Sequence, residues 1–394
     1  MAERPQPSFP PLKACSIGLL AVLVAAFYGA VPPQTAASQD LYAVSDIAVD
    51  ETASNEVQAK QEGVAKAKRA AFQEMMTRLT LAGEAPPTPD DERLEFLIRD
   101  MSFTSEKFGG GRYIATLTVR FQQDEVNRYL QRSGTAYLAN PSPLTVVLPI
   151  FRDESGDQLW SDVNPWLDAW WRLEEKGQVV PFTVPLGDLG DIGAIDAKRA
   201  VNVDATGINA IAGRYRAGAV AIPIATFAAE GGILVELATF GAGWPAQPDL
   251  LRFPEEALND RAAILLTEEQ ARKGQTGEID PTARAAQLYA AASLTLEAME
   301  ARWKGENILR FDQAASKMMA RVGLNGLEEW LKVRASLAEV APIKSWRLSE
   351  LATSHAVLEI DYIGDTDRLS RAFARVALVL APGTDGETWT LTRR

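Results

Sequence analysis

The chain has 394 residues, 47% of them hydrophobic and 23% charged, with a formal net charge of −12. An acidic chain with no basic stripe repels phosphate backbones, which excludes nucleic acid as an expected partner. One cysteine, Cys15, and one histidine, His355, leave no ligands for a thiolate or multi-histidine metal site and no disulfide framework, so no metal or cofactor is expected.

Arg4 and Lys13 precede the apolar run Ala14 to Phe27, Pro32 and Pro33 follow, and Ala36-Ala37-Ser38 supplies small residues. Basic start, apolar middle and small-residue site are the order of a secretory signal, here residues 1–38, which predicts a periplasmic protein. The run over residues 14–31 is alternatively long enough to stay as an inner-membrane anchor, since a span needs about 20 apolar residues. The best later candidate, Ala217 to Phe227, is short, contains Pro223 and reads as a buried strand.

Residues 39–139 read as one β-α-β-β-α unit. Leu41 to Val49 is a strand, and Asp50 or Ser54 caps a long helix with Val57, Val64, Ala71, Phe72, Met75 and Leu79 at helical spacing. A short helix over Asp91 to Asp100 precedes two strands, Met101 to Phe108 and Arg112 to Phe121, that flank three glycines. Tyr113, Ala115, Leu117, Val119 and Phe121 alternate with a largely polar set, so this hairpin has one wet face. Asp124 to Arg132 is a helix with Gly134 as its C-cap.

Residues 140–254 read as a central mixed α/β domain. Leu144 to Phe151 is almost purely apolar, which implies a central strand buried on both faces. A helix over Pro165 to Lys176, a strand Val179 to Val184, a helix containing Asn209 to Tyr215, and paired strands Ala219 to Ala228 and Ile233 to Thr239 follow. Residues 255–312 form a helical connector, in which Leu288, Ala292, Leu296 and Met299 mark a long helix packing between units. Residues 313–394 read as a ferredoxin-like β-α-β-β-α-β unit. Its first strand is Lys317 to Val322. Asn325 and Glu328 open a helix with the stripe Leu327, Trp330, Leu331, Arg334 (stem only) and Leu337. The strands Ile343 to Leu351, His355 to Ile363 and Ala377 to Ala381 follow, with Thr388 to Leu391 as an added edge. The fold class is therefore α+β with mixed α/β elements and several domains.

His355 shares a strand face with Val357, Glu359 and Asp361, opposite the core face of Ala356, Leu358, Ile360 and Tyr362, and no G-x-S-x-G elbow supplies a nucleophile. It reads as a solvated histidine. The glycine-rich stretch Gly187 to Gly193 has neither usual nucleotide-loop spacing and carries Asp188 and Asp191, which repel phosphate; it reads as a flexible connector. Asp153 and Asp157 bound an acidic loop that reads as solvated, with an oxygen-ligand calcium site as the sharper alternative. Trp166 and Trp170, four apart, should pack on the sheet, whereas Trp171 projects about 100° away. Trp160, Trp171, Asp153 and Asp157 are the candidate interaction surface.

The strand Leu41-Tyr42-Ala43-Val44-Ser45-Asp46-Ile47-Ala48-Val49-Asp50, the helix with Arg69-Ala70-Ala71-Phe72, the strand Tyr113 to Phe121, and Val146-Val147-Leu148-Pro149-Ile150-Phe151 resemble a proteobacterial envelope family, domain of unknown function 2066. Leu358 to Asp365 with Leu369 is similar too. The likeness covers most of the chain after the signal; its motifs are structural and it transfers no catalytic residue. The expected function is a non-enzymatic module that binds other envelope proteins. The alternative is a carboxylate-based hydrolase acting on an envelope glycan, with acids such as Asp153, Asp157 or Asp162 near Trp160.

Overall fold

The computed structural model describes residues 41–394 apart from 162–163, 175–176, 246, 278, 311–314, 384–387 and 394. The expected signal segment, Cys15, Asp162 and Lys176 therefore lie outside the described residues. The chain is a multi-domain α+β protein with three sheets, two of them mixing parallel and antiparallel strands.

The first module runs β1 (Ala43–Thr52), α1 (Glu56–Leu79), α2 (Asp91–Leu97), β2 (Ile98–Gly109), β3 (Arg112–Phe121) and α3 (Gln123–Arg132). Its sheet is antiparallel in the order β1-β3-β2. The alternation in β3 does what period two predicts: Tyr113, Ala115, Leu117, Val119 and Phe121 are buried and their neighbours are not. α1 meets this face through small residues a turn apart, Ala59, Gly63, Ala67 and Ala71, and then through Phe72, Met75, Met76 and Leu79. A Cβ at Gly63 would lie 2.6 Å from Val49 Cγ1, so the helix can lie this close only because the position has no side chain. Val57, expected on the apolar stripe, is 68% exposed. The cap is neither Asp50 nor Ser54 but Asn55, whose Oδ1 accepts the Gln58 N–H at 2.9 Å. β1 continues through Thr52, so the helix starts only after the chain has turned.

The middle region contributes β4 (Thr145–Val147), β5 (Ile150–Asp153), β6 (Gly156–Gln158), α4 (Pro165–Trp171), β7 (Phe182–Thr183), α5 (Leu189–Ala194), α6 (Ala197–Val201), α7 (Ala205–Arg214), β8 (Ala219–Phe227), β9 (Ile233–Gly241) and β10 (Asp249–Phe253). The main order is β10-β9-β8-β4-β7, with β5 also beside β8. The apolar run Leu144 to Phe151 is central, as expected, but it forms two strands. Pro149, with no N–H to give the ladder, lies in the break. Burial on both faces is explicit. Val147, Ala221 and Ala225 join one apolar cluster with Trp166 and Trp170, while Val146, Leu148, Ile150 and Ile222 join another with Ile195, Ile208 and Ile211.

Two helices follow, α8 (Glu255–Lys273) and α9 (Arg284–Asn307). The long helix α9 is apolar on several sides, burying Leu288, Ala290, Ala291, Ala292, Met299 and Trp303. One continuous apolar cluster takes in the first module, one face of the central sheet and α9.

The last module runs β11 (Ser316–Gly323), α10 (Leu327–Ala338), β12 (Ile343–Leu351), β13 (His355–Tyr362), α11 (Thr366–Arg375), β14 (Leu378–Pro382) and β15 (Thr388–Arg393). Its own core holds Trp330, Val333, Leu337, Leu358, Ile360, Leu369 and Phe373. The buried stripe of α10 is Trp330, Val333 and Leu337, while Leu327 and Leu331 are 68% and 52% exposed. The N-cap is Gly326, and the Asn325 N–H is taken by Glu329 rather than Glu328. The strand from Thr388 is also not at the edge: β15 pairs in parallel with β11, and β14 lies outside it, giving β12-β13-β11-β15-β14. Leu391 of β15 is fully buried in the core of this module.

The two end modules follow one path. In each, strand, helix, strand, strand, helix gives the antiparallel order first-third-second, β1-β3-β2 and β11-β13-β12. In each, the second strand carries two register shifts and, among the described residues, has a partner on one side only.

Candidate functional site

Asp153 and Asp157 belong to the β5–β6 hairpin. Asp153 Oδ1 accepts the Ser155 N–H (2.8 Å) and hydroxyl (2.6 Å), and Oδ2 accepts from Gln158 (2.9 Å). The Ser155 hydroxyl foremost holds this carboxyl below the usual carboxylate range. Asp157 accepts from Arg152 Nε at 2.6 Å. Trp160 is half-buried; its indole N–H donates to the Ile195 carbonyl at 2.7 Å and its ring packs against the α5–α7 side of the central sheet. Trp171 is 46% exposed on α4, whose Trp166 and Trp170 pack edge to face, 5.8 Å apart, on the opposite face of that sheet. The hairpin thus brings Asp153 and Asp157 together, and the sheet separates Trp160 from Trp171.

The stretch Gly187 to Gly193, expected to be a flexible connector, is instead a tethered turn of helix. Asp188 caps α5 by accepting the Asp191 N–H at 2.9 Å. The Asp191 carboxylate, fully buried, accepts from Arg214 Nε (2.7 Å), the Tyr215 hydroxyl (2.8 Å) and the Gly187 N–H (3.1 Å). The physical reason is a buried acid that must be paired, and Arg214 is 23 residues away, beyond any local motif. Leu189, 90% exposed, stands outward on this anchored turn.

His355 lies at the start of β13, half-buried, with Nε2 3.2 Å from Glu350 and Nδ1 3.3 Å from the Ser354 hydroxyl. The three residues surround an exposed hairpin end.

A cleft of about 470 Å³ lies between α3 and the last module. On the α3 side stand Gln123, Asn127 and Gln131; on the other stand Ile343, Ala372 and Val376. The Tyr42 hydroxyl donates to Asn127 Oδ1 at 2.9 Å, and Gln131 Nε2 donates to the Tyr137 hydroxyl at 3.1 Å. Burial pushes the Tyr137 phenol up to about 12, so it stays neutral. Nearby, the last module is tied to the end of α9: the Arg368 guanidinium donates to the carbonyls of Ile308 (3.1 Å) and Glu306 (2.5 Å). Sequence reasoning missed this site. The signal present was the recurrence of side-chain amides every fourth residue in α3.

A second polar junction joins α1, α9 and the segment before β7. Glu300 Oε1 accepts the Val179 N–H at 2.8 Å, and Lys304 Nζ donates to the Thr77 carbonyl at 2.7 Å. Burial raises the Glu300 carboxyl above the usual range and lowers the Lys304 ammonium below its own.

Among the described residues no three or more His, Cys, Asp or Glu side chains group as a metal site, and no helix is long and apolar enough to cross a membrane. No protein-family model and no curated protein sequence matches the chain.

Proposed function

We propose that this is an exported, non-enzymatic envelope protein that binds other envelope proteins through its small α/β modules, as the resemblance of its strands to the envelope family also suggests. One observation carries the reading. Among the described residues, both end modules leave the second strand unpaired on its outer side, with large apolar side chains exposed beside it: Phe103 and Phe108 on β2, Leu348 and Leu351 on β12. Each sits opposite a residue of the helix-covered face, Leu117, Tyr113, Leu358 and Ala356. A partner strand added there would gain backbone hydrogen bonds and apolar contact together. The register shifts in both strands twist these edges and limit indiscriminate pairing. Export rests on the residues 1–38 pattern. For the hydrolase reading, Asp153 and Asp157 are engaged by Ser155, Gln158 and Arg152 rather than turned toward one another across a cleft.

The test is photo-crosslinking in intact cells from Phe108, Leu348 and, as a control, Asp280. Adducts with envelope proteins from the two strand edges but not from Asp280 support the reading. Equal labelling from all three positions, or none, removes it.

A further inference from the structure

We propose that the cleft between α3 and the last module binds an extended polypeptide segment by its backbone amides. This rests on the protein-binding reading above and gives it a second, separate site.

Gln123, Asn127 and Gln131 stand at i, i+4 and i+8 of one helix and all line the cleft. At 1.5 Å per residue, successive members lie about 6 Å apart along the axis. In an extended chain, residues that turn their N–H and C=O to the same edge recur every second position, about 6.6 Å apart, and each offers that edge one donor and one acceptor. The two spacings agree closely enough for three side-chain amides to meet alternate residues. Each amide offers one carbonyl and one NH₂ group, the complement of a peptide N–H and C=O.

Two of the three are oriented from behind. Asn127 has its carbonyl engaged by the Tyr42 hydroxyl, which leaves its NH₂ as the donor for a ligand carbonyl. Gln131 has its NH₂ engaged by the Tyr137 hydroxyl, which leaves its carbonyl as the acceptor for a ligand N–H. Opposite polarities one helical turn apart are what an extended backbone presents. Preset groups of this kind lose little freedom on binding.

The rest of the lining fits the same ligand. Ile343, Ala372 and Val376 supply small aliphatic contacts for alternate side chains. Asp124, Arg128 and Glu339 bring both signs of charge, so the cleft favours neither a phosphate nor a polycation. Tyr137 is buried by its own chain and presents no open ring face for a sugar to stack on, which favours a peptide over a glycan. The volume, about 470 Å³, is that of a ligand pocket.

A smaller cavity of about 50 Å³ shares Asn140 and Ala372 with the cleft. It is lined by Trp303, whose buried indole N–H has no partner among the described residues. Buried donors are normally satisfied, and a carbonyl or polar side chain entering from the cleft would satisfy this one.

The experiment selects from a displayed library of unstructured 12-residue peptides on the chain as it accumulates in cells, then measures affinity by titration. Asn127→Asp keeps the acceptor for Tyr42 and removes the free donor; it should weaken the selected peptides at least tenfold. Gln123→Ala, at an exposed position, should weaken them three- to tenfold at unchanged melting temperature. N-methylation of alternate peptide nitrogens should cost as much as Asn127→Asp, whereas side-chain changes at the same positions should cost under twofold. Selected peptides whose affinity ignores both variants would place binding elsewhere and overturn the cleft while leaving the protein-binding reading intact. Failure to select any peptide, with strand-edge crosslinks still present, has the same consequence; absence of both removes both proposals. Tight binding of chito-oligosaccharides that is lost in Asn127→Asp would make the cleft a glycan site and overturn the peptide assignment.

Discussion

Glu300 shows how one side chain links pH to stability. Burial is the main cause of its raised pKa, opposed by the Val179 N–H and the nearby Lys304 charge. A carboxyl that holds its proton more tightly when folded contributes stability that is full below the unfolded value, 4.5. That contribution disappears as pH rises through the folded value. Glu300→Gln keeps an acceptor for Val179 and removes the buried charge. Its melting temperature should therefore exceed the parent's at pH 7.5 and converge with it at pH 4. A gain of equal size at both pH values would point to packing instead. Trp330 on α10 and His355 on β13 make a second comparison. Trp330 is buried with Leu358 and Ile360, edge to face with Trp346 at 6.0 Å, whereas His355 reaches only exposed partners. Denaturant titration should find Trp330→Ala lowered by about 3–5 kcal/mol. His355→Ala should stay within about 0.5 kcal/mol. Comparable losses would mean that β13 is out of register by one residue.

Elements differ in how far their sequence determines them. In α1 the propensity rule and the packing rule disagree at Gly63. Alanine is preferred in a helix interior by about 1 kcal/mol. Yet the new Cβ would meet Val49 Cγ1 at 2.6 Å and Glu51 Cβ at 3.2 Å, on a stiff β-branched neighbour and a paired strand. Overpacking at such a site costs about 1–3 kcal/mol. Gly63→Ala should therefore be net destabilising by about 1 kcal/mol, and a raised melting temperature would show that α1 can move off the sheet. Period two identified β3 and β13 with their faces, because alternation is a property of the strand itself. The α10 stripe was misjudged because Leu327 and Leu331, also four apart, mimic a core row while lying beside it. Caps slid by a residue or more wherever several polar residues adjoin, as at Asn55 and Gly326. The tether of α5 to Arg214 was not legible, since no local pattern records a partner 23 residues on.

At the scale of the whole molecule, what sequence could not convey was adjacency. Apolar alternation says that β11 and β15 are strands, but nothing in either states that they pair in parallel. The likeness of the end modules is likewise a matter of path, order and edge rather than of matching residues. The candidate cleft follows from adjacency too, since its walls come from residues more than 200 positions apart. What keeps those walls in place is therefore a test of the assembly. Arg368, at the start of α11, gives two hydrogen bonds to the carbonyls that end α9, and Ala372 on the same helix lines the cleft. Hydrogen bonds from a charged donor contribute about 1.5–3 kcal/mol each. Arg368→Ala removes both while leaving the core of the last module, built on Leu369 and Phe373, untouched. The expected result is local opening of the module from α9 rather than global unfolding. Hydrogen exchange over Glu306 to Leu309 should then accelerate at least tenfold, the factor that corresponds to about 1.4 kcal/mol. Lys332→Ala, which removes only an exposed i,i+4 pair with Glu328, should leave the rate unchanged. Equal rates in Arg368→Ala and the parent would mean that apolar contact alone holds the module, and that the cleft keeps its shape without this tie.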